Sequence, residues 1–102
     1  MLDDSKTIAL RVTVIGGQHY ADDYQVIWRS LPIGRIMRAP GLPPHAPQWW
    51  RWTCNVYGKP GGGSGHGTDL DDCKAKFKIA WARIRAGLTA ADIAKAYEMR
   101  RG

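Results

Sequence analysis

Residues 48–57 read QWWRWTCNVY and alternate between two sets of side chains. One set is apolar and contains Trp50, Trp52, Cys54 and Val56. The other set is mixed and contains Trp49, Arg51, Thr53, Asn55 and Tyr57. A period of two is typical of a β-strand whose two faces meet different surroundings. The sequence therefore predicts a strand with Trp50 and Trp52 in the core and a second face that is open to a partner.

The segments before this strand repeat the pattern. Residues 7–15, 24–29 and 33–37 each alternate apolar and polar side chains, and short turns join them. Four prolines in residues 39–47 predict an extended loop there. Residues 58–67 read GKPGGGSGHG, a composition that predicts a second, flexible loop. The sequence thus predicts three or four strands with no helix between them.

The segment after the glycine-rich run has the period of a helix. The apolar positions of residues 69–86 recur three and four residues apart, at Leu70, Cys73, Phe77, Ala80, Trp81 and Ile84. Thr68 and Asp71 have the spacing of a capping box, and Gly87 is placed to end the helix. Thr89 and Asp92 repeat the capping pattern and predict a short C-terminal helix.

Strands followed by helices predict an α+β fold. We expect an antiparallel sheet of three to four strands, with one face covered by the long helix and a short helix at the C-terminus. The 102 residues fit a single domain that spans 1–102, with the flexible loops at 39–47 and 58–67.

The charges of the chain are unevenly distributed. Residues 24–68 contain no Asp and no Glu, although the whole chain has nine acidic residues and a net charge of +6. An acid-free, Trp- and Arg-rich segment favours an anionic partner, and nucleic acid is the commonest. The candidate binding residues are Arg29, Arg35, Arg38, Trp49, Arg51, Tyr57 and Lys59.

Other classes of function find little support in the sequence. A phosphate-binding loop has a lysine directly before its Ser or Thr, but the glycine-rich run ends in Gly65-His66-Gly67-Thr68. No nucleophile motif is present either, so we expect neither an enzyme nor a cofactor. Cys54, Cys73, His45 and His66 lack the spacing of zinc ligands, so we expect no metal site. An acidic N-terminus and the absence of an apolar run of ~20 residues predict a cytoplasmic protein.

Several segments carry a resemblance to known proteins. The chain resembles a group of small uncharacterised bacterial proteins with a sheet-then-helix layout in residues 24–37, in Trp50-Arg51-Trp52, in the glycine-rich run, and in residues 68–74 and 77–81. A fainter similarity, in the strands around Val26, Ile36 and Thr53 and in the helix from Leu70 to Ile84, is to the small DNA-binding domains of phage-type integrases and plant AP2-type factors. In those domains a three-stranded sheet backed by a helix lays its outer face into a DNA groove, so the resemblance implies DNA binding through the sheet.

Two functions follow as alternatives. The first is a small non-enzymatic module that binds nucleic acid through a basic, Trp- and Arg-rich sheet face. The second is an inhibitor or adaptor, encoded by a mobile element, that uses the same surface on a protein partner, because Trp, Tyr and Arg also dominate protein interfaces. A homodimer through the first strand or the Trp face is a third arrangement, and the sequence leaves the oligomeric state open.

Overall fold

A computed structural model of the protein describes residues 8–38 and 50–101, without the side chains of Pro60 and Arg101. Within these residues the chain forms five strands and then two helices. The elements are β1 (Ala9–Ile15), β2 (Gln18–Trp28), β3 (Leu31–Arg38), β4 (Trp50–Val56), β5 (Lys59–Gly67), α1 (Leu70–Ala86) and α2 (Ala90–Arg101). The predicted loop at 39–47 and the candidate residue Trp49 lie outside the described residues.

The strands form one sheet in the order β1-β2-β3-β4-β5, and each strand runs antiparallel to the next. The predicted α+β class with an antiparallel sheet is therefore confirmed. The predicted number of strands, three to four, is wrong by one or two, because the glycine-rich run supplies the fifth strand.

The glycine-rich run is a strand because its alternate residues lie under large side chains. Gly63 and Gly65 lie beneath the indole of Trp52, and Gly67 lies against Cys73 of α1. A side chain at Gly65 would occupy the space of the ring and one at Gly67 the space of the helix, so glycine at these two positions is required for packing. The prediction of a flexible loop at 58–67 is wrong, because composition alone does not show what lies above each residue.

The core lies between α1 and the sheet, since α1 packs on β3, β4 and β5. Phe77 and Trp81 of α1 are fully buried, and their partners in the sheet are aromatic. The ring centroids of Trp81 and Trp28 are 5.3 Å apart, and those of Phe77 and Trp52 are 6.2 Å apart. Trp50 and Trp52 thus face the core as the alternation of β4 predicted.

The ends of the helices are fixed by short polar contacts. Asp69 caps α1 by accepting a hydrogen bond of 2.8 Å from the backbone N–H of Asp72. The predicted Thr68–Asp71 capping pair is therefore wrong by one residue, although the helix range is confirmed. Gly87 ends α1, with its N–H 3.0 Å from the Ile84 carbonyl oxygen.

The cap of α2 is the reciprocal one that the sequence predicted. The Thr89 N–H donates to Asp92 Oδ2 at 2.9 Å, and the Asp92 N–H donates to Thr89 Oγ1 at 3.1 Å. Neither helix of the described chain has the length and apolar character needed to cross a bilayer.

Candidate functional site

The face of the sheet opposite α1 carries no helix in the described part of the chain, and most of its exposed side chains are polar. The strand registers align them in rows that run across the sheet. The first row has one exposed residue from each strand, in the order Arg11, Gln25, Arg35, Thr53 and Ser64. Because neighbouring strands lie ~4.8 Å apart, this row extends over ~19 Å. We call this surface the open face.

A second row lies beside the first. It contains Asp23, Met37, Arg51 and His66, again in strand order. The open face therefore presents three arginines and one aspartate, with amide and hydroxyl groups between them. Such a surface offers hydrogen-bond donors to an elongated anionic or polar ligand.

The open face is concave. A cavity of about 890 Å³ extends from β1 across β2 and β3 to the end of β4, and its lining includes Arg11, Gln25, Arg35, Asn55 and Tyr57. A ligand in this cavity would contact side chains from four strands. The antiparallel meander positions them rigidly, since each strand except the outer two is paired on both sides.

One ion pair organises the centre of this face. Arg35 Nε donates to Asp23 Oδ1 at 2.8 Å, and a second guanidinium nitrogen donates to Asp23 Oδ2. Thr13 Oγ1 donates to the same carboxylate at 2.9 Å. The hydrogen bond from Arg35 holds the pKa of Asp23 below its ordinary value of 3.8, and the Asp23 carboxylate raises the pKa of Arg35. Asp23 is therefore ionised, and it fixes the Arg35 guanidinium in one position.

A bulge in β2 positions Asp23 for this ion pair. Val12 pairs with Tyr24 but Thr13 pairs with Tyr20, so three residues of β2 have no counterpart on β1. Asp22, the middle of the three, has a φ of 61°. The bulge directs Asp22 and Asp23 towards cations of β3, since Asp22 Oδ2 lies 3.5 Å from Arg38 Nη1.

In the folded chain, cations of the acid-free segment 24–68 lie beside carboxylates from other segments. Three of its predicted binding cations pair with carboxylates from outside it: Arg35 with Asp23, Arg38 with Asp22, and Lys59 with Asp92 at 3.2 Å. The sequence could not show this, because the partners come from a bulge and from α2. Only Arg35 of these three lines the cavity.

Arg29 lies away from the open face. Its guanidinium is 4.7 Å from the ring centroid of Trp28, and Arg85 of α1 lies 5.2 Å from the same centroid. The Arg29 carbonyl oxygen accepts a hydrogen bond from the Tyr97 hydroxyl of α2. Arg29 therefore belongs to the contact between the β2–β3 turn and the helices, and the structure does not bring it together with Arg35 or Arg51.

Arg51 and Tyr57 are the predicted residues that remain accessible. Arg51 is exposed on the open face between Met37 and His66, and among the described residues it forms no ion pair. Tyr57 is 44% exposed and lines the cavity at its β4 end. The aromatic ring and the guanidinium are therefore available to a ligand, although they lie at different places on the face.

Arg11 is the cation that sequence reasoning missed. It is exposed on β1, lines the cavity, and forms no ion pair within the described chain. The alternation of residues 7–15 already placed it on the polar face of that strand. Only the order of the strands shows that this polar face is continuous with that of β4.

The cysteines do not contribute to this face. Cys54 and Cys73 are free thiols buried in the core. Burial raises the pKa of Cys54 to about 12 and that of Cys73 to about 11, so neither is a ready nucleophile. In residues 8–38 and 50–101, no three His, Cys, Asp or Glu side chains group together as metal ligands.

Comparison of the chain with protein-family models, with curated proteins and with solved structures finds no match. The resemblances to small bacterial proteins and to integrase DNA-binding domains therefore stay predictions.

Proposed function

We propose that the protein is a small, non-enzymatic module that binds nucleic acid on the open face of its sheet. The observation that carries the proposal is the row of polar side chains across all five strands, with Arg11 at one end, Arg35 in the middle and Arg51 in the adjacent row. Arginine binds phosphate through paired N–H donors, and a sheet can present several arginines at fixed spacing.

The electrostatics of this face favour a polyanion. Asp23 is its one carboxylate among the described residues, and Arg35 and Thr13 already occupy both of its oxygens. Arg11 and Arg51 have no such partner in the described chain, so their charges are available to phosphates. The amide and hydroxyl groups of Gln25, Thr53 and Asn55 between them can accept or donate hydrogen bonds to sugars and bases.

Tyr57 supplies a surface for stacking. An exposed ring at the border of a positively charged concave face is the combination that sequence-tolerant binders of single strands use. Arg38 and Lys59 take a smaller part in this proposal than the sequence suggested, because each has a carboxylate partner. Arg29 has no part in it, because it lies against Trp28.

The experiment is a fluorescence anisotropy titration of labelled single- and double-stranded DNA and RNA at low and at physiological salt. We expect binding that falls steeply with salt concentration, because phosphate contacts release counterions. The matched variants are Arg51→Ala on the open face and Arg83→Ala on the exposed surface of α1, which remove the same charge. Arg51→Ala should weaken binding about tenfold, or ~1.4 kcal/mol, and Arg83→Ala should leave it nearly unchanged.

Equal losses in the two variants would show that only net charge matters and would refute the open face as the site. Absence of binding at low salt to every form of nucleic acid would refute the proposal itself. A protein partner on the same face would then be the alternative to pursue, with Arg51→Ala as the variant that should abolish its capture.

A further inference from the structure

β1 is an edge strand of the sheet, and it carries exposed apolar side chains. It is the first strand of the sheet, so one of its sides has no neighbouring strand in the described part of the chain. Val12, Val14 and Ile15 are 36%, 51% and 59% exposed. An edge strand of this kind exposes backbone donors and acceptors beside apolar surface, which is how proteins add a strand from a partner.

The opposite edge of the sheet differs in this respect. On β5 the carbonyl oxygen of His66 accepts a hydrogen bond of 2.9 Å from Lys76 Nζ, so a lysine occupies part of that edge. Pro60 on the same strand has no N–H to offer. Both features are ways in which natural edges avoid pairing. Arg11 is the one charged residue of β1, and it points to the open face.

We propose that β1 pairs antiparallel with β1 of a second copy of this chain, about a twofold axis at Val12. In this register Val12 lies opposite Val12 of the second copy. Leu10 lies opposite Val14, Ala9 opposite Ile15, and Arg11 opposite Thr13. All seven residues of β1 take part, and apolar residues meet apolar residues at every position except the one that joins Arg11 to Thr13.

The charge pattern of β1 selects this register over its neighbours. A twofold axis at Arg11 would place two arginines directly opposite each other, which is unfavourable. An axis at Thr13 would place Arg11 opposite Ile15 and leave Ala9 and Leu10 without partners. The Val12 register avoids both defects, and it is the one that covers the exposed surfaces of Val12 and Val14.

The occupant is a second copy because the strand is complementary to itself. The registers of the other strands show that residues directly opposite share a face, so the helices of both copies would lie on the same side of one ten-stranded sheet. The two open faces would then be continuous, with the two Arg11 side chains diagonal across the axis at ~7–8 Å. This dimer does not require that the open face bind nucleic acid.

Sedimentation equilibrium of the full chain without nucleic acid tests the association. We expect the mass to rise with concentration from 11.4 kDa towards twice that value. Val12→Lys should hold the mass at one chain, because it places two ammonium groups opposite each other. Ile79→Lys on the outer surface of α1, where Ile79 is 65% exposed, should dimerise as the unmodified chain does.

Oxidative crosslinking tests the register. Cysteines at Val12 would be directly opposite, with Cβ atoms ~4.5–5.5 Å apart, and should form an intermolecular disulfide. Cysteines at Val14 would lie ~13 Å apart along the strands and should not. The unmodified chain, whose two cysteines are Cys54 and Cys73, shows how much crosslinking those native thiols give by themselves. A chain that stays monomeric at millimolar concentration, or a Val14→Cys chain that crosslinks as readily as Val12→Cys, would overturn the proposal.

Discussion

The indole of Trp52 on β4 lies directly over the backbone of Gly65 on β5. A Cβ atom built at position 65 would stand 2.8 Å from Trp52 Nε1, closer than two such atoms can approach. The neighbouring inward position, Gly63, differs, since a Cβ there would lie 3.6 Å from the same ring in ordinary contact. Glycine is therefore required for packing at position 65, whereas position 63 has room for a methyl group.

This difference predicts opposite effects of two identical substitutions. Gly65→Ala should destabilise the protein by about 1–3 kcal/mol, because the partly buried ring of Trp52 or β5 must move. Gly63→Ala should be neutral or stabilising by about 0.4–1 kcal/mol, because it restricts the unfolded chain. Urea unfolding followed by tryptophan fluorescence measures both, and equal losses would contradict the packing of Trp52 on Gly65.

The Asp23–Arg35 pair predicts part of the acid sensitivity of the fold. The folded-state pKa of Asp23 is depressed below 3.8, so its contribution to stability is complete above that pH and is lost as the pH falls through the depressed pKa. Asp23→Asn should cost ~1 kcal/mol at neutral pH, since Arg35 is half-exposed, and should flatten the dependence of unfolding free energy on pH below 4.

The matched control for this prediction is Asp71→Asn. Its side chain is 93% exposed, and its nearest cation, Lys74, is 4.0 Å away. Asp71 lies in the first turn of α1, so losing its exposed charge should cost only ~0.3 kcal/mol and should leave the slope of unfolding free energy against pH nearly unchanged. An acid limb of the same steepness in Asp23→Asn and the unmodified chain would rule out the proposed role of Asp23.

The ion pairs of the sheet predict a ranking among cations for nucleic-acid binding. Arg51 has no carboxylate partner in the described chain, whereas Lys59 is paired with Asp92. Arg51→Ala should reduce the slope of log affinity against log salt by about one, and Lys59→Ala by clearly less. Anisotropy titrations at several salt concentrations give both slopes. The reverse order would mean that the ligand lies along the β4–β5 turn instead of across the sheet.

The buried thiols predict slow modification. Burial raises the pKa of Cys54 to about 12 and of Cys73 to about 11, so the thiolate is scarce at mildly alkaline pH. Reaction with a disulfide reagent in the native state should be about a hundredfold slower than in urea. Stopped-flow absorbance measures both rates. Rapid labelling of either cysteine in the folded protein would show that the α1–sheet contact opens readily.

Much of the fold follows from local patterns. The alternation in residues 48–57 placed Trp50, Trp52, Cys54 and Val56 towards the core, and the helical spacing of Phe77 and Trp81 placed them against the sheet. These predictions hold because burial of one face follows directly from the period of the apolar residues. The same reasoning failed at the glycine-rich run, because its glycines have no apolar period of their own. That run is a strand because Trp52 and Cys73 pack against its glycines.

The candidate site was less predictable. Arg51 and Tyr57 remain accessible as the outward set of β4 indicated, but Arg35, Arg38 and Lys59 acquire acidic partners that are distant in sequence. Arg11 is part of the site because β1 pairs with β2 and β2 with β3, which places Arg11 in the same row as Arg35. Ion pairs and rows across a sheet depend on register and on bulges, and a linear charge pattern contains neither.

The sequence by itself determined the α+β class, the direction in which β4 and α1 face, and the caps at Gly87 and Thr89, because each depends on residues a few positions apart. Only the tertiary structure decided that residues 59–67 form a strand, that Asp22 and Asp23 neutralise cations of β3, and that Arg11 and Arg51 share one open face. Those outcomes depend on contacts between strands, whose register is set by the whole sheet packing on α1.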